Sequence, residues 1–214
     1  MRGERTRVKI CGIREPAHAR LAAESGADAI GLVFHRPSPR FVTGEEAARI
    51  AAALPPFVAA VGLFVNAPAQ AVAQALSQVR LDLLQFHGDE TPEFCAQFGL
   101  PYVRALPMGQ GGDLVEYARR FSQAKALLLD AHLPGEAGGT GRTFDWTGIP
   151  GDLPIPLILS GGLNAANVGR AIRVVKPWGV DVSSGVERAR GEKDPQLIVE
   201  FIRSVRREDA SISR

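Results

Sequence analysis

Asp181-Val-Ser-Ser-Gly-Val-Glu187, taken together with Ser160-Gly-Gly-Leu163, decides the reading of this chain. Both stretches lie where an apolar run (155–159, then 178–182) gives way to glycines and hydroxyls, and then to a helical pattern. Glycine lets a backbone come within contact distance of a ligand, and a helix start leaves several N–H groups without partners. Two such ends side by side make a pocket of donors suited to a phosphate monoester. Phosphate sites of this kind follow strands 7 and 8 of a (β/α)8 barrel, the second built on a short extra helix. The expected donors are Gly161, Gly162, Ser183, Ser184 and Gly185. The ligand to expect is a small phosphorylated metabolite.

Outward from these loops, short β-type runs alternate with helical ones along the chain. Strands are predicted at 7–11, 29–34, 58–65, 81–86, 102–105, 126–130, 155–159 and 179–182. Helices are predicted at 16–25, 44–54, 68–79, 91–98, 114–121, 165–175 and 195–207, with a weak one near 145–147. Parallel neighbours need long crossovers, so strands separated by helices imply a parallel sheet. The strands read as nearly continuous apolar runs, as sheets covered on both faces do. A faint repeat lays Glu24–Phe34 on Ser77–His87, Asp28 matching Asp82, about two βα units apart. A doubly wound sheet usually shows fewer strands and one glycine-rich crossover, and no G-x-G-x-x-G occurs.

The chain of 214 residues fits one barrel domain, with a core over about 7–207 and a short basic tail. Its 45% hydrophobic and 22% charged residues are an ordinary globular balance. A net charge of +2 is too small to argue for nucleic acid, and Arg203, Arg206 and Arg207 read as the solvated face of a last helix. The two cysteines, Cys11 and Cys95, are far apart, which speaks against a disulfide scaffold or zinc module and fits a reducing compartment. No apolar stretch is long enough for a membrane span, and Met1 to Arg7 holds no signal-peptide core. The expected location is the cytoplasm.

Catalytic groups of such barrels come from the carboxyl ends of strands and the loops after them. Those positions hold Cys11 and Arg14, His35 and Arg40, Asn66, Gln85 and His87, Asp130, and Asp181 with Ser183 and Ser184. Cys11 closes Val8-Lys-Ile-Cys11 and can be read as a small buried hydrophobe or as a nucleophile or base. Cys95 sits inside a helical pattern and reads as packing. Asp130 follows three leucines, where burial would make its carboxyl a usable proton donor, although it could equally order a loop. Asp181 could contact substrate or brace the Ser183–Ser184 loop. Arg40, in the proline-stiffened Arg36-Pro-Ser-Pro-Arg40, could be solvated or aimed at a substrate carboxylate. Gly138-Gly-Thr-Gly141 lies in a long loop that is either a connector or a lid. Asp89 and Glu90 look like the charged start of the next helix.

A metal reading competes: His35, His87, Asp130 and Asp181 all follow even-numbered strands and could converge on a divalent ion, as in a metal-dependent sugar-phosphate epimerase. A non-catalytic phosphate-binding module is a third possibility, which the presence of Cys11 and Asp130 at strand ends argues against. Fold alone does not separate these readings.

Motifs in a fixed order do. They are Val8-Lys-Ile-Cys-Gly-Ile13, Gly26-Ala-Asp-Ala-Ile-Gly31, Ser38-Pro-Arg-Phe41, Val61-Gly-Leu-Phe-Val-Asn66 and Leu84-Gln-Phe-His-Gly88. Leu128-Leu-Asp130, Gly138-Gly-Thr-Gly141, Phe144-Asp-Trp146, Leu159-Ser-Gly-Gly-Leu-Asn164 and Val180-Asp-Val-Ser-Ser-Gly-Val-Glu187 follow. In these the chain resembles the phosphoribosylanthranilate isomerase family of tryptophan biosynthesis. Phe86 stands where that family frequently has leucine and Arg142 where lysine is frequent; neither is a group expected to do chemistry. The resemblance implies an Amadori rearrangement of N-(5-phosphoribosyl)anthranilate to 1-(2-carboxyphenylamino)-1-deoxyribulose 5-phosphate. By position, Asp130 is the general acid at the ring oxygen and Cys11, as thiolate, the base at C2′. Arg40 faces the anthranilate carboxylate, and Gln85, His87 and Asp181 contact the substrate. No metal or organic cofactor is implied, because the substrate's own amine supplies the electron sink. The expected partner is the phosphorylated small molecule alone, with no nucleic acid and no membrane, in a monomer or a homodimer.

Overall fold

The computed structural model describes residues 5–108, 113–130, 146–150 and 153–212. Eight parallel strands close into a barrel in chain order. They are β1 (Arg7–Cys11), β2 (Ala29–Val33), β3 (Ala59–Phe64), β4 (Leu83–Phe86), β5 (Tyr102–Pro107), β6 (Ala126–Asp130), β7 (Leu157–Leu159) and β8 (Gly179–Val182). Outside run α1 (Pro16–Ser25), α2 (Gly44–Ala51), α3 (Ala69–Gln78), α4 (Pro92–Ala96), α5 (Leu114–Arg120), α6 (Val168–Val175) and α7 (Pro195–Ile212). Local chemistry sets several helix starts. Thr43 and Glu46 form a reciprocal capping box on α2, and Asp113 accepts from the amides of Val115 and Glu116 on α5.

Because strand side chains alternate, each strand feeds two layers. Val8, Ile10, Ile30, Leu32, Leu84, Phe86, Val180 and Val182 belong to the main core shared with the helices. The intervening positions face the barrel interior, where Val103, Ala105, Ala126 and Leu128 form one buried cluster. Cys11, Val33 and Leu63 form another. Phe86 therefore packs outward, its ring 5.9 Å from those of Phe94 and Phe98 and 6.1 Å from Tyr102. The aromatic at this position thickens the helix layer and leaves the barrel mouth unaltered.

Some boundaries move, for local reasons. β7 begins at Leu157 rather than 155, because Pro156 has no N–H for the ladder and contributes only its carbonyl, to Leu127. α6 begins at Val168 rather than 165: Asn164 Oδ1 accepts from the amides of Ala166 and Asn167, holding that segment in a turn. The weak helical signal near 145–147 is a single 3-10 turn, Trp146–Gly148. α7 continues to Ile212, with Arg203, Arg206 and Arg207 exposed along it. A hairpin of β9 (Glu187–Ala189) and β10 (Glu192–Lys193) follows β8 without warning, since Arg188-Ala-Arg-Gly191 carries no apolar alternation. Among the described residues no helix is long and apolar enough to cross a membrane.

Candidate active site

At the carboxyl end of β1, alternation places Lys9 and Cys11 inside the barrel. The register sets Lys9 level with Asp181 on β8 and Cys11 level with Gly31 on β2. Lys9 Nζ lies 2.8 Å from Asp181 Oδ1, both side chains buried, and Ser160 Oγ lies 3.3 Å from Asp181 Oδ2. Gly31 lacks the Cβ that would stand 2.7 Å from Cys11 Sγ and 3.2 Å from Lys9 Nζ, so its absence makes room for both. Burial pushes the Cys11 thiol up, against the pull of the Lys9 and Lys193 ammonium groups. Burial opposes a charge on Lys9, yet Asp181 and Cys11 outweigh it and hold the ammonium above its ordinary value. Asp181 is thus an internal counter-ion, a contact the strand-end reading did not supply.

Gln85 and His87, both from the end of β4, meet Asp130 at the end of β6. Gln85 Nε2 lies 3.0 Å from His87 Nδ1, and His87 Nε2 lies 3.1 Å from Asp130 Oδ2. Asp130 is buried, while the His87 ring is partly exposed at the mouth. Below this chain Glu90 is not a solvated helix start. Its carboxylate is buried, accepts from the amides of Asn66 and Gly88, and pairs with Arg104 Nη1 at 2.9 Å. Arg104 also donates to the Phe86 and Gly88 carbonyls, so a buried ion pair holds the turn that carries His87.

Arg40 is buried rather than solvated, its chain folded over Gly12. Its Nε and Nη2 donate to the two Glu187 carboxylate oxygens at 2.7 and 2.8 Å. Lys193 Nζ donates to the same carboxylate at 2.7 Å and to the Ser183 carbonyl at 2.9 Å. Burial works against the Glu187 charge, but Arg40, Lys193 and the Gly191 amide bring its carboxyl down to about 2. Lys193 is lowered by burial despite that partner. Two basic groups therefore share one carboxylate at the mouth.

The loops after β7 and β8 touch. A Cβ on Gly185 would lie 1.8 Å from the Leu163 carbonyl oxygen, so only glycine permits this approach. Gly161 and Gly162 adopt φ of 84° and 64°, a left-handed pair that turns the chain before α6 starts. After β7 the helix α6 starts only at Val168, six residues beyond Gly162, and after β8 the short extra helix is a 3-10 turn, Ser184–Val186. Among the described residues the amides of Gly161, Gly162, Ser184 and Gly185 meet no acceptor of the chain. The donors are thus loop amides in a nest-like arrangement, with little help from a helix macrodipole.

Other strand-end candidates lie elsewhere. Arg14 is exposed, and Asn66 is spent on Asp89, which it binds through both amide atoms. His35 is half-buried, and desolvation holds its imidazole below the ordinary value. His35, His87, Asp130 and Asp181 do not converge: among the described residues no three His, Cys, Asp or Glu side chains assemble as metal ligands. Gly138–Gly141, Arg142 and Asp145 lie outside the described residues. Sequence reasoning passed over Lys9, Glu187 and Lys193. Lys9 had a signal, a cation alternating with apolar residues in a doubly covered strand; Lys193, in Gly191-Glu-Lys-Asp194, reads like any surface charge run.

Comparison with known proteins matches this architecture. Residues 8–204 fit the family described as N-(5'phosphoribosyl)anthranilate (PRA) isomerase. A protein of that name from Leptothrix cholodnii is 53% identical over 206 residues, covering 96% of this chain and 93% of the relative. The crystal structure of phosphoribosyl anthranilate isomerase from Thermotoga maritima superposes with a TM-score of 0.84 at 43% identity, over 94% of this chain and 98% of that one. A crystal structure of the isomerase in complex with reduced 1-(o-carboxyphenylamino)-1-deoxyribulose 5-phosphate gives a TM-score of 0.81 at 40% identity, over 94% and 98% of the two chains. This chain belongs to the phosphoribosylanthranilate isomerase family.

Proposed function

We propose that the protein isomerises N-(5-phosphoribosyl)anthranilate in tryptophan biosynthesis, as a single barrel domain in the cytoplasm, with Asp130 as acid and Cys11 as base. The observation that carries the assignment of roles is their placement: both close a strand at the same barrel mouth, beside loop amides that meet no acceptor among the described residues. A phosphate on the amides of Gly161, Gly162, Ser184 and Gly185 anchors one end of the substrate. The anthranilate carboxylate meets the basic cluster at Arg40, with Glu187 keeping the guanidinium in place. Asp181, which neutralises Lys9, supports the interior beneath the sugar.

Asp130 gives its proton to the furanose ring oxygen. The C1′–O bond breaks and the anilinic nitrogen lone pair forms the C1′=N iminium. The Cys11 thiolate removes the C2′ proton, and the released electron pair becomes the C1′=C2′ bond as the iminium collapses to an enamine. Protonation at C1′ and loss of the C2′ hydroxyl proton give the ketone. Electrons move only within the substrate, so the balance closes without an external oxidant or reductant. His87, on Asp130, stands where that proton is exchanged. The test is to incubate purified protein with enzymatically generated phosphoribosylanthranilate and follow its fluorescence. Rapid enzyme-dependent loss is expected, and no loss above the spontaneous rate rejects the function.

A further inference from the structure

We infer that Lys9 is the positioning residue that makes Cys11 a base, its ammonium held by Asp181 so that the thiolate forms inside the barrel. The inference rests on the reading of Cys11 as the base. An apolar barrel interior disfavours a thiolate, so a fixed cation is needed nearby. Lys9 is two residues before Cys11 on the same strand, hence on the same inward face. Cys11 Sγ and Lys9 Nζ both border the space over Gly31, 2.7 and 3.2 Å from where a Cβ would stand. Register keeps Lys9 level with Asp181, the 2.8 Å ion pair holds the ammonium, and Ser160 holds the carboxylate in turn.

The charged groups facing the thiol are Lys9 from β1, Asp181 from β8 and Lys193 from β10. Arg40 and Glu187 lie behind Lys193 and pair with each other. Of the two lysines, burial lowers Lys193, and its Nζ is committed to Glu187 and Ser183. Lys9 is held above its ordinary value and so stays charged across the working pH range. Asp181 acts against the thiolate, but less strongly than Lys9 acts for it. The pair therefore has a net polarity, cation toward sulfur, beyond its part in packing.

The experiment is a pH titration of thiolate ultraviolet absorbance in the intact protein, run beside the pH profile of kcat. Cys95 is silent in this range, because burial pushes its thiol up to about 12. In Lys9→Met the Cys11 midpoint should rise by at least about one pH unit, and the basic limb of kcat should rise with it while KM changes little. Lys9→Arg should restore most of the wild-type midpoint. Lys9→Met leaves the buried Asp181 carboxylate without its cation, so Lys9→Met/Asp181→Asn serves if the single variant does not fold. That double variant should show a smaller rise in the same direction. A folded double variant with the wild-type midpoint overturns the inference. A raised midpoint together with an active Cys11→Ala enzyme would support the thiol effect and sink the base assignment alone.

Discussion

His87 Nε2 lies 3.1 Å from Asp130 Oδ2 and joins β4 to β6, two strands that are not neighbours in the barrel. Gln85, two residues earlier on β4, holds the other ring nitrogen. A histidine with one nitrogen on an amide and the other on a carboxylate can settle where the shared proton sits. The acid proposed for ring opening is thus one end of a hydrogen-bonded chain that reaches the mouth.

Asp130→Asn keeps the size and hydrogen bonding of the side chain but cannot deliver a proton. Steady-state kinetics should show kcat lowered by at least about 100-fold, with one limb of the pH profile lost. Near-normal kcat at neutral pH would move the acid elsewhere, and Asp181 would be tested next.

Cys11→Ala should lower kcat by at least about 100-fold while circular dichroism and product binding stay close to wild type, since the base acts only in proton transfer. Cys11→Ser should do little better, because a hydroxyl is far too weak an acid to supply the conjugate base. A loss below about tenfold would make the assignment untenable.

Glu187 gives a pH-dependent signature. Its folded carboxyl lies at about 2, below the ordinary glutamate range, so its charge contributes stability that is fully present above that range. The contribution is lost as pH falls toward 2. Urea midpoints of wild type and Glu187→Gln should therefore differ most near neutrality and converge in acid. A difference that does not change with pH would show that the Arg40–Glu187–Lys193 cluster is not held by that charge. Glu187→Gln should also raise KM, because Arg40 loses its charged partner.

The phosphate anchor is open to two substitutions. Ser184→Asp sets a like charge beside the phosphate and should raise KM at least about tenfold in a folded barrel. Gly185→Ala drives a methyl into the Leu163 carbonyl, so the two loops must part and inorganic phosphate should no longer compete with substrate. A crystal grown in sulfate with the anion on the Arg36–Arg40 loop, and not on these amides, would reverse the substrate's direction across the mouth.

The alternation of apolar runs, helical periods and glycine-rich strand ends carries the barrel, because hydrophobic burial and backbone geometry are written locally. β1, β6, β8 and α1 run over the residues their patterns predict. The same logic put Cys11 and Asp130 at strand ends, since position along a strand is a one-dimensional property. Glu90 and Arg40 show where that logic stops. Glu90 reads as the charged start of a helix, and Arg40 as a loop arginine either solvated or aimed at a substrate carboxylate. Yet each is buried against a charged partner from another element: Arg104 from the neighbouring strand β5 for Glu90, Glu187 from the β9 hairpin for Arg40. Lys9 meets Asp181 only through the closure of the barrel, since β1 touches β8 only when the sheet closes. The sequence by itself determined the layers, the strand ends and the residues available for chemistry. Only the tertiary structure decided which charges neutralise one another, because the cost of burying a charge is met by a partner far along the chain.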